Sequence, residues 1–216
     1  MGGEVDGLFP QREVRPALGG LGGQGREAVG NRHGGDPSET ARSHGNYGVP
    51  MPLHHVAYAT KDVEATTHFY ENLMGFPLVH TEITAGGETW LRHIFFDIGT
   101  GGDGDMECIA FFQVHQVGER ADYVTDVSEG VGLPVWVNHC AFRATEEKQN
   151  EVRARMDAAG IAPLMDVDHG WCRSLYYVDP NGIMVELCRD TPGFTPDPAE
   201  AKRLLTADPF ANAKGA

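Results

Sequence analysis

The chain has 216 residues, 41% of them apolar, and a formal charge of −14 at pH 7. That is enough apolar chain for one compact domain with a real core and marginal for two independent ones. So acidic a chain lacks the basic surface that nucleic acid or an anionic membrane requires, and no apolar run approaches the roughly 20 residues of a membrane-spanning helix.

Residues 1–49 hold 13 of the 28 glycines and show no sustained periodicity. They read as a disordered Gly-rich leader, because such a segment cannot bury enough apolar surface to offset its ordering entropy. The N-terminus lacks the basic-then-apolar order of a secretory signal. The cysteines, Cys108, Cys140, Cys172 and Cys188, form no C-x-x-C pair and sit in or beside apolar runs. The expectation is reduced, buried thiols in a cytoplasmic protein.

From residue 51 the pattern becomes regular. Residues 53–60 alternate like a strand. Asp62 suits an N-cap for a helix over 63–74, whose buried stripe is Val63, Thr66, Phe69, Tyr70, Leu73 and Met74, and Gly75 suits the C′ position. Strands are predicted at 77–83, 91–98 and 106–114, the last two joined by the Gly-rich loop 99–105. The order then repeats. A strand over 135–143 precedes a helix capped by Thr145, with Glu146 and Glu147 in its first turn, Val152, Met156 and Ala159 on its buried face, and Gly160 at its end. Strands at 162–167 and 174–178 lead into the turn Asp179-Pro180-Asn181-Gly182, a closing strand covers 183–189, and a short helix lies near 198–205.

The two halves align. Leu53-His54-His55-Val56-Ala57-Tyr58 matches Val137-Asn138-His139-Cys140-Ala141-Phe142, so His55 falls on His139. The run from Ile109 to Val114 resembles that from Ile183 to Leu187 with one extra residue, which sets Gln113 against Glu186. This internal duplication predicts an α+β fold of two tandem βαβββ modules, 51–115 and 135–190, forming a cupped mixed β-sheet with helices outside, followed by a C-terminal extension over 191–216. Strand side chains alternate faces, so matched faces turned inward would bring His55, His139, Gln113 and Glu186 into one cavity. Two imidazoles and a carboxylate are a ligand set for a catalytic divalent metal, and Gln113 could add a carbonyl oxygen. A Glu between Val185 and Leu187 is costly to bury unpaired, whereas an amide at a strand end can be satisfied by backbone alone. His54 neighbours His55 and is expected on the opposite face. His169, in a loop able to cover the cavity, is a candidate general acid/base. His93 and His115 remain unplaced, and Trp90, Phe111 and Tyr177 are candidates for an apolar pocket.

The histidine opening each module, Phe69-Tyr70 in the first helix, and Arg173-Ser174-Leu175-Tyr176 running into Asp179-Pro180-Asn181-Gly182 and Glu186 together resemble the vicinal-oxygen-chelate superfamily. That superfamily includes glyoxalases, extradiol dioxygenases, methylmalonyl-CoA epimerases, and fosfomycin and bleomycin resistance proteins. The resemblance covers roughly residues 51–190. It implies a small-molecule substrate, a homodimer, and one of three activities. In an extradiol dioxygenase, His55, His139 and Glu186 would be a facial triad for Fe(II), with Tyr176 contacting a catecholic substrate. In a glyoxalase- or epimerase-like isomerase or lyase, Gln113 would join them on Ni, Co, Zn, Mn or Mg, with Glu82 or Glu107 as a candidate base. In a non-catalytic binder the metal set would be superfluous. The dioxygenase is the leading expectation. Pairing of the modules within one chain and pairing between swapped chains both suit these residues, and one metal per chain is expected.

Overall fold

The computed structural model describes residues 52–99 and 106–210. The Gly-rich leader, most of the loop over 99–105 and the last six residues lie outside the described residues. The order is β1 (His55–Ala59), α1 (Val63–Thr67, continuing as π-helical turns through His68–Met74), β2 (Leu78–Gly86), β3 (Thr89–Asp97), β4 (Cys108–His115), β5 (His139–Arg143), α2 (Glu146–Ala158), β6 (Met165–Asp168), β7 (Cys172–Val178), β8 (Met184–Asp190) and α3 (Pro198–Leu204). The four-stranded sheets run β1-β4-β3-β2 and β5-β8-β7-β6. In each, the first strand pairs parallel with the fourth and the other pairs are antiparallel. The fold is therefore α+β, two tandem βαβββ modules each built on a mixed sheet, as the duplication predicts.

Local signals explain most boundaries. The Asp62 carboxylate accepts from the Ala65 amide at 2.9 Å and the Thr145 hydroxyl from the Lys148 amide at 3.2 Å, so both long helices start where an N-cap is available. Gly75 (φ 74°) and Gly160 (φ 74°) end them in the left-handed region, which costs glycine least. The second half of α1 widens into π-helical turns, and the adjacent pairs Phe69, Tyr70 and Leu73, Met74 all reach the core. Two expectations fail. Ala159 is the exposed C-cap of α2, and the third buried position of that helix is Gln149, whose amide donates to the carbonyls of Arg173 and Leu187. The strand expected from 135 begins only at His139, because the Val137 amide turns back to the Pro134 carbonyl.

One face of each sheet and both long helices share a single core, containing Tyr70, Met74, Phe96, Ile109 and Phe111 from the first module and Phe142, Val152, Met156, Leu175, Tyr177, Val185 and Leu187 from the second. Phe76 meets Phe142 edge-on at 5.0 Å, and the Arg155 guanidinium donates to the Leu73 carbonyl at 2.6 Å. Across the same seam the buried Tyr70 hydroxyl donates to Asp179 Oδ2 at 2.9 Å. The other oxygen, Asp179 Oδ1, accepts from the Asn181 and Ile183 amides, both at 2.8 Å, and so closes the turn before β8. Burial raises the Asp179 carboxyl above its usual range, and these donors oppose that shift. None of the described helices is long and apolar enough to cross a membrane.

Because Asp179 both closes the turn before β8 and joins the two modules, Asp179→Ala should destabilise the fold by about 3 kcal/mol, leaving buried donors unanswered. Urea unfolding followed by circular dichroism checks this. A loss below about 0.5 kcal/mol would show that the seam does not depend on it.

Candidate functional site

Alternation along the strands leaves each sheet a second face, turned away from the shared core. On the second module that face carries His139 from β5, Glu186 and Cys188 from β8, and Cys172, Ser174 and Tyr176 from β7. Glu186 is only 6% exposed. Its Oε1 accepts a 2.5 Å hydrogen bond from the Ser174 hydroxyl, and its Oε2 lies 3.0 Å from His139 Nε2. The other imidazole nitrogen, Nδ1, is 2.9 Å from the Trp136 carbonyl. A carbonyl can only accept, so Nδ1 carries a proton, and in a neutral ring Nε2 then presents a lone pair to the carboxylate. Two lone pairs at that distance repel unless a proton or a cation lies with them. A buried carboxylate likewise needs a positive partner. The pair therefore fits a divalent metal ion, with His139 oriented by the Trp136 carbonyl and Glu186 by Ser174.

Beside this pair stands Tyr176, its ring 6.2 Å from that of His139 and its hydroxyl 3.0 Å from His169 Nε2. Burial pushes the Tyr176 phenol up, and the nearby Glu186 charge adds to the shift, so the hydroxyl keeps its proton. Tyr176 and His169, both singled out in the sequence, thus form one cluster with His139 and Glu186. Behind the carboxylate, Cys172, Glu186 and Cys188 bring their donor atoms within 4.8 Å of one another. Burial pushes the Cys188 thiol up to about 12, so it stands there as a neutral thiol. All four cysteines are free, Cys108 and Cys172 buried and Cys140 and Cys188 partly so.

The corresponding face of the first module is built differently. His55 pairs in register with Cys108 and His139 with Met184, so two residues on, Ala57 meets Ala110 where Ala141 meets Glu186. The counterpart of Glu186 is Ala110, not Gln113. Gln113 lies on the helix-facing side, where it accepts from Arg92 at 2.8 Å and donates to the Lys61 carbonyl. It cannot share an ion with His55, which points the other way. The sequence alignment had inserted a residue that the register does not contain. By the same register Phe95 replaces Tyr176, His93 replaces Ser174, and Phe112 replaces Cys188.

Within one chain His55 does not join His139 and Glu186. Among the described residues, Cys172, Glu186 and Cys188 alone form a set of three His, Cys, Asp or Glu donors within 4.8 Å of one another. The shared core holds the helix-facing sides of the modules together, and His55 and His139 are both exposed on their outer faces. His54 is not turned away from His55: their Nδ1 atoms lie 2.8 Å apart. Phe111 and Tyr177 belong to the core rather than a pocket, and Trp90 stacks on His115 at 5.7 Å.

Two features escaped the sequence reading. Ser174 could have been found, since it sits two residues before Tyr176 on the same strand face. The other is a His93–Glu82 pair. His93, 6% exposed, has Nδ1 3.1 Å from the Glu82 carboxylate, while its Nε2 is buried with no partner. Its ring lies 5.9 Å from that of His55. Burial lowers the His93 pKa against the opposing pull of Glu82, so the neutral ring offers Nε2 as an acceptor.

The chain belongs to the Glyoxalase/Bleomycin resistance protein/Dioxygenase superfamily, whose family model matches residues 52–187. Members of this superfamily are mostly metal-dependent enzymes that act on small molecules. The chain is 30% identical over 135 residues to a Bacillus subtilis (strain 168) protein named "Putative ring-cleaving dioxygenase MhqA", the match taking in 62% of this chain and 38% of the relative's length. Among solved structures it is similar to the fosfomycin resistance protein FosX of Listeria monocytogenes, with 21% identity and a TM-score of 0.44 over 67% of this chain and 97% of that one. A lactoylglutathione lyase of Agrobacterium tumefaciens gives 22% identity and a TM-score of 0.44 over 68% and 100%.

If a cation answers the buried carboxylate, adding a divalent ion at about a hundredfold its Kd should stabilise the protein by about 2.7 kcal/mol, and Glu186→Gln should abolish that gain. Thermal unfolding with Mn(II), and after chelation, measures it. Equal melting temperatures for the unsubstituted protein in both conditions would mean that no ion binds.

Proposed function

We propose that this protein is an extradiol-type ring-cleaving dioxygenase that opens a catecholic substrate, with Fe(II) held by His139 and Glu186 of one copy and His55 of a second. The observation that carries this is that Ala110 occupies, in the first module, the position that Glu186 occupies in the second. Only the second module has a carboxylate at this position of its fourth strand, which favours two imidazoles and one carboxylate, the facial triad of non-haem iron oxygenases. The resemblance to a protein named as a ring-cleaving dioxygenase supports the same reading. A four-ligand isomerase or lyase centre would need Gln113, and Arg92 holds that side chain on the wrong face.

Fe(II) in such a set supplies a Lewis acid for the two diol oxygens and the redox chemistry that dioxygen requires. The chain's own groups divide the remaining work. Tyr176 keeps its phenolic proton and donates it to a substrate oxygen beside the carboxylate, while His169 holds the Tyr176 hydroxyl in place. The unpartnered Nε2 of His93, with Nδ1 fixed by Glu82, is an acceptor suited to a hydroxyl proton of the diol.

The positions of the ligands support a homodimer. His55 and His139 are the first residues of β1 and β5, the edge strands of their sheets. Around His139 is an open apolar hollow lined by Tyr58, Val127, Val131, Leu133 and Val137. Trp136 and Val131 are 57% and 70% exposed beside it. Unpaired strand edges with apolar surface invite pairing with another copy.

Two measurements test this. Anaerobic loading with Fe(II), then catechol and air, should give a yellow ring-opened product, and Gln113→Ala should retain full metal content. Absence of product from a range of catechols, with metal loss in Gln113→Ala, would favour the isomerase or lyase. Second, His55→Ala and Glu186→Ala should each be inactive, and unfolding and refolding them together should restore about a quarter of the activity, because half of randomly formed dimers carry one intact site of two. A site completed within one chain restores nothing on mixing.

A further inference from the structure

Whatever carries His55 to an ion carries its neighbours with it. The Phe95 ring lies 5.5 Å from His55, and Phe112 stacks on His93 at 3.6 Å. Ala110 and Leu91, both buried, complete that face. Position for position, the first module sets Phe95, His93, Ala110 and Phe112 where the second sets Tyr176, Ser174, Glu186 and Cys188. Among the strand arginines Arg143 alone shares the His139 face, and Asp190 on that same face answers it. Arg92 is bonded to Gln113, Arg143 lies 3.5 Å from Asp190, Arg173 pairs with Asp166, and Arg189 pairs with Glu146. The charges nearest the histidines are negative, those of Glu82 and Glu186, within a chain of formal charge −14.

We infer that the site selects an uncharged aromatic diol, its ring carrying alkyl, aryl or halogen substituents, and rejects a ring bearing a carboxylate or sulfonate. This rests on the dioxygenase reading for the diol and on the wall beside His55 for the substituent. An aromatic ring with an apolar substituent gains offset or edge contacts with Phe95 and Phe112. An anionic substituent loses its water against these rings with no arginine or lysine beside them among the described residues, and the protein's own field opposes its approach.

The test compares two diols that differ in one ring substituent. The full-length protein, loaded with Fe(II) under argon, is titrated with 4-methylcatechol and with 3,4-dihydroxybenzoate, and binding is read from tryptophan fluorescence, since the Trp136 carbonyl holds His139. The methyl compound should bind about thirtyfold or more tightly than the carboxylate, the discrimination expected for an unpaired anion. Phe112→Arg should narrow that ratio to within about threefold by supplying a partner charge. Equal or tighter binding of the carboxylate to the unsubstituted protein overturns the inference, whether or not the variant folds. Preference for the methyl compound without ring-opened product in air removes the dioxygenase and leaves the selectivity. Failure of both diols to bind removes both.

Discussion

The arrangement depends on one buried carboxylate. Glu186 lies between Val185 and Leu187 on β8, with a hydroxyl on one oxygen and an imidazole on the other. A carboxylate so placed is costly without positive charge. Everything around it serves to hold that charge in place: Ser174 orients the carboxylate, the Trp136 carbonyl fixes the tautomer of His139, and Tyr176 with His169 stands where a metal-bound ligand would meet a proton donor. The neutral thiol of Cys188 supplies an uncharged flank that leaves the carboxylate facing His139.

The duplication explains how such a site arises and how its halves came to differ. The two modules keep the same backbone register, with a histidine opening the first strand and an alanine two residues later beneath the fourth strand. The side chains set against that frame have diverged. One module carries Glu186 and the hydroxyls of Tyr176 and Ser174, where the other carries Ala110, Phe95 and His93, the last paired to Glu82. A symmetric pair of carboxylates on one ion would add negative charge at the expense of open coordination positions. In the proposed site, the asymmetric pair would leave room for a chelating substrate and give the second face over to packing against it.

The shared core imposes the other constraint. Tyr70, Asp179, Phe76, Phe142 and Arg155 knit the helix-facing sides of the modules together. With those sides committed to each other, the faces bearing His55 and His139 are left to meet partners outside the chain. In the proposed dimer, a site shared between copies would tie metal affinity to protein concentration and make assembly a condition of activity.

Much of this was legible in the sequence. The repeat, the helix caps at Asp62 and Thr145, the buried stripe of α1, and the candidacy of His139, Glu186 and His169 follow from local pattern and alternation, because hydrogen-bonding propensities and strand periodicity act over a few residues, while Tyr176 came only with the family resemblance. Register between strands does not. Whether Gln113 or Ala110 stands opposite Glu186 depends on which backbone groups pair across tens of residues, and a shift of one residue moves a side chain to the other face of a sheet. The partnership of His93 with Glu82, the split between the two histidine-bearing faces, and the neutrality of the wall beside His55 were likewise decided only in three dimensions, where the packing of one common core determined which surfaces remained free.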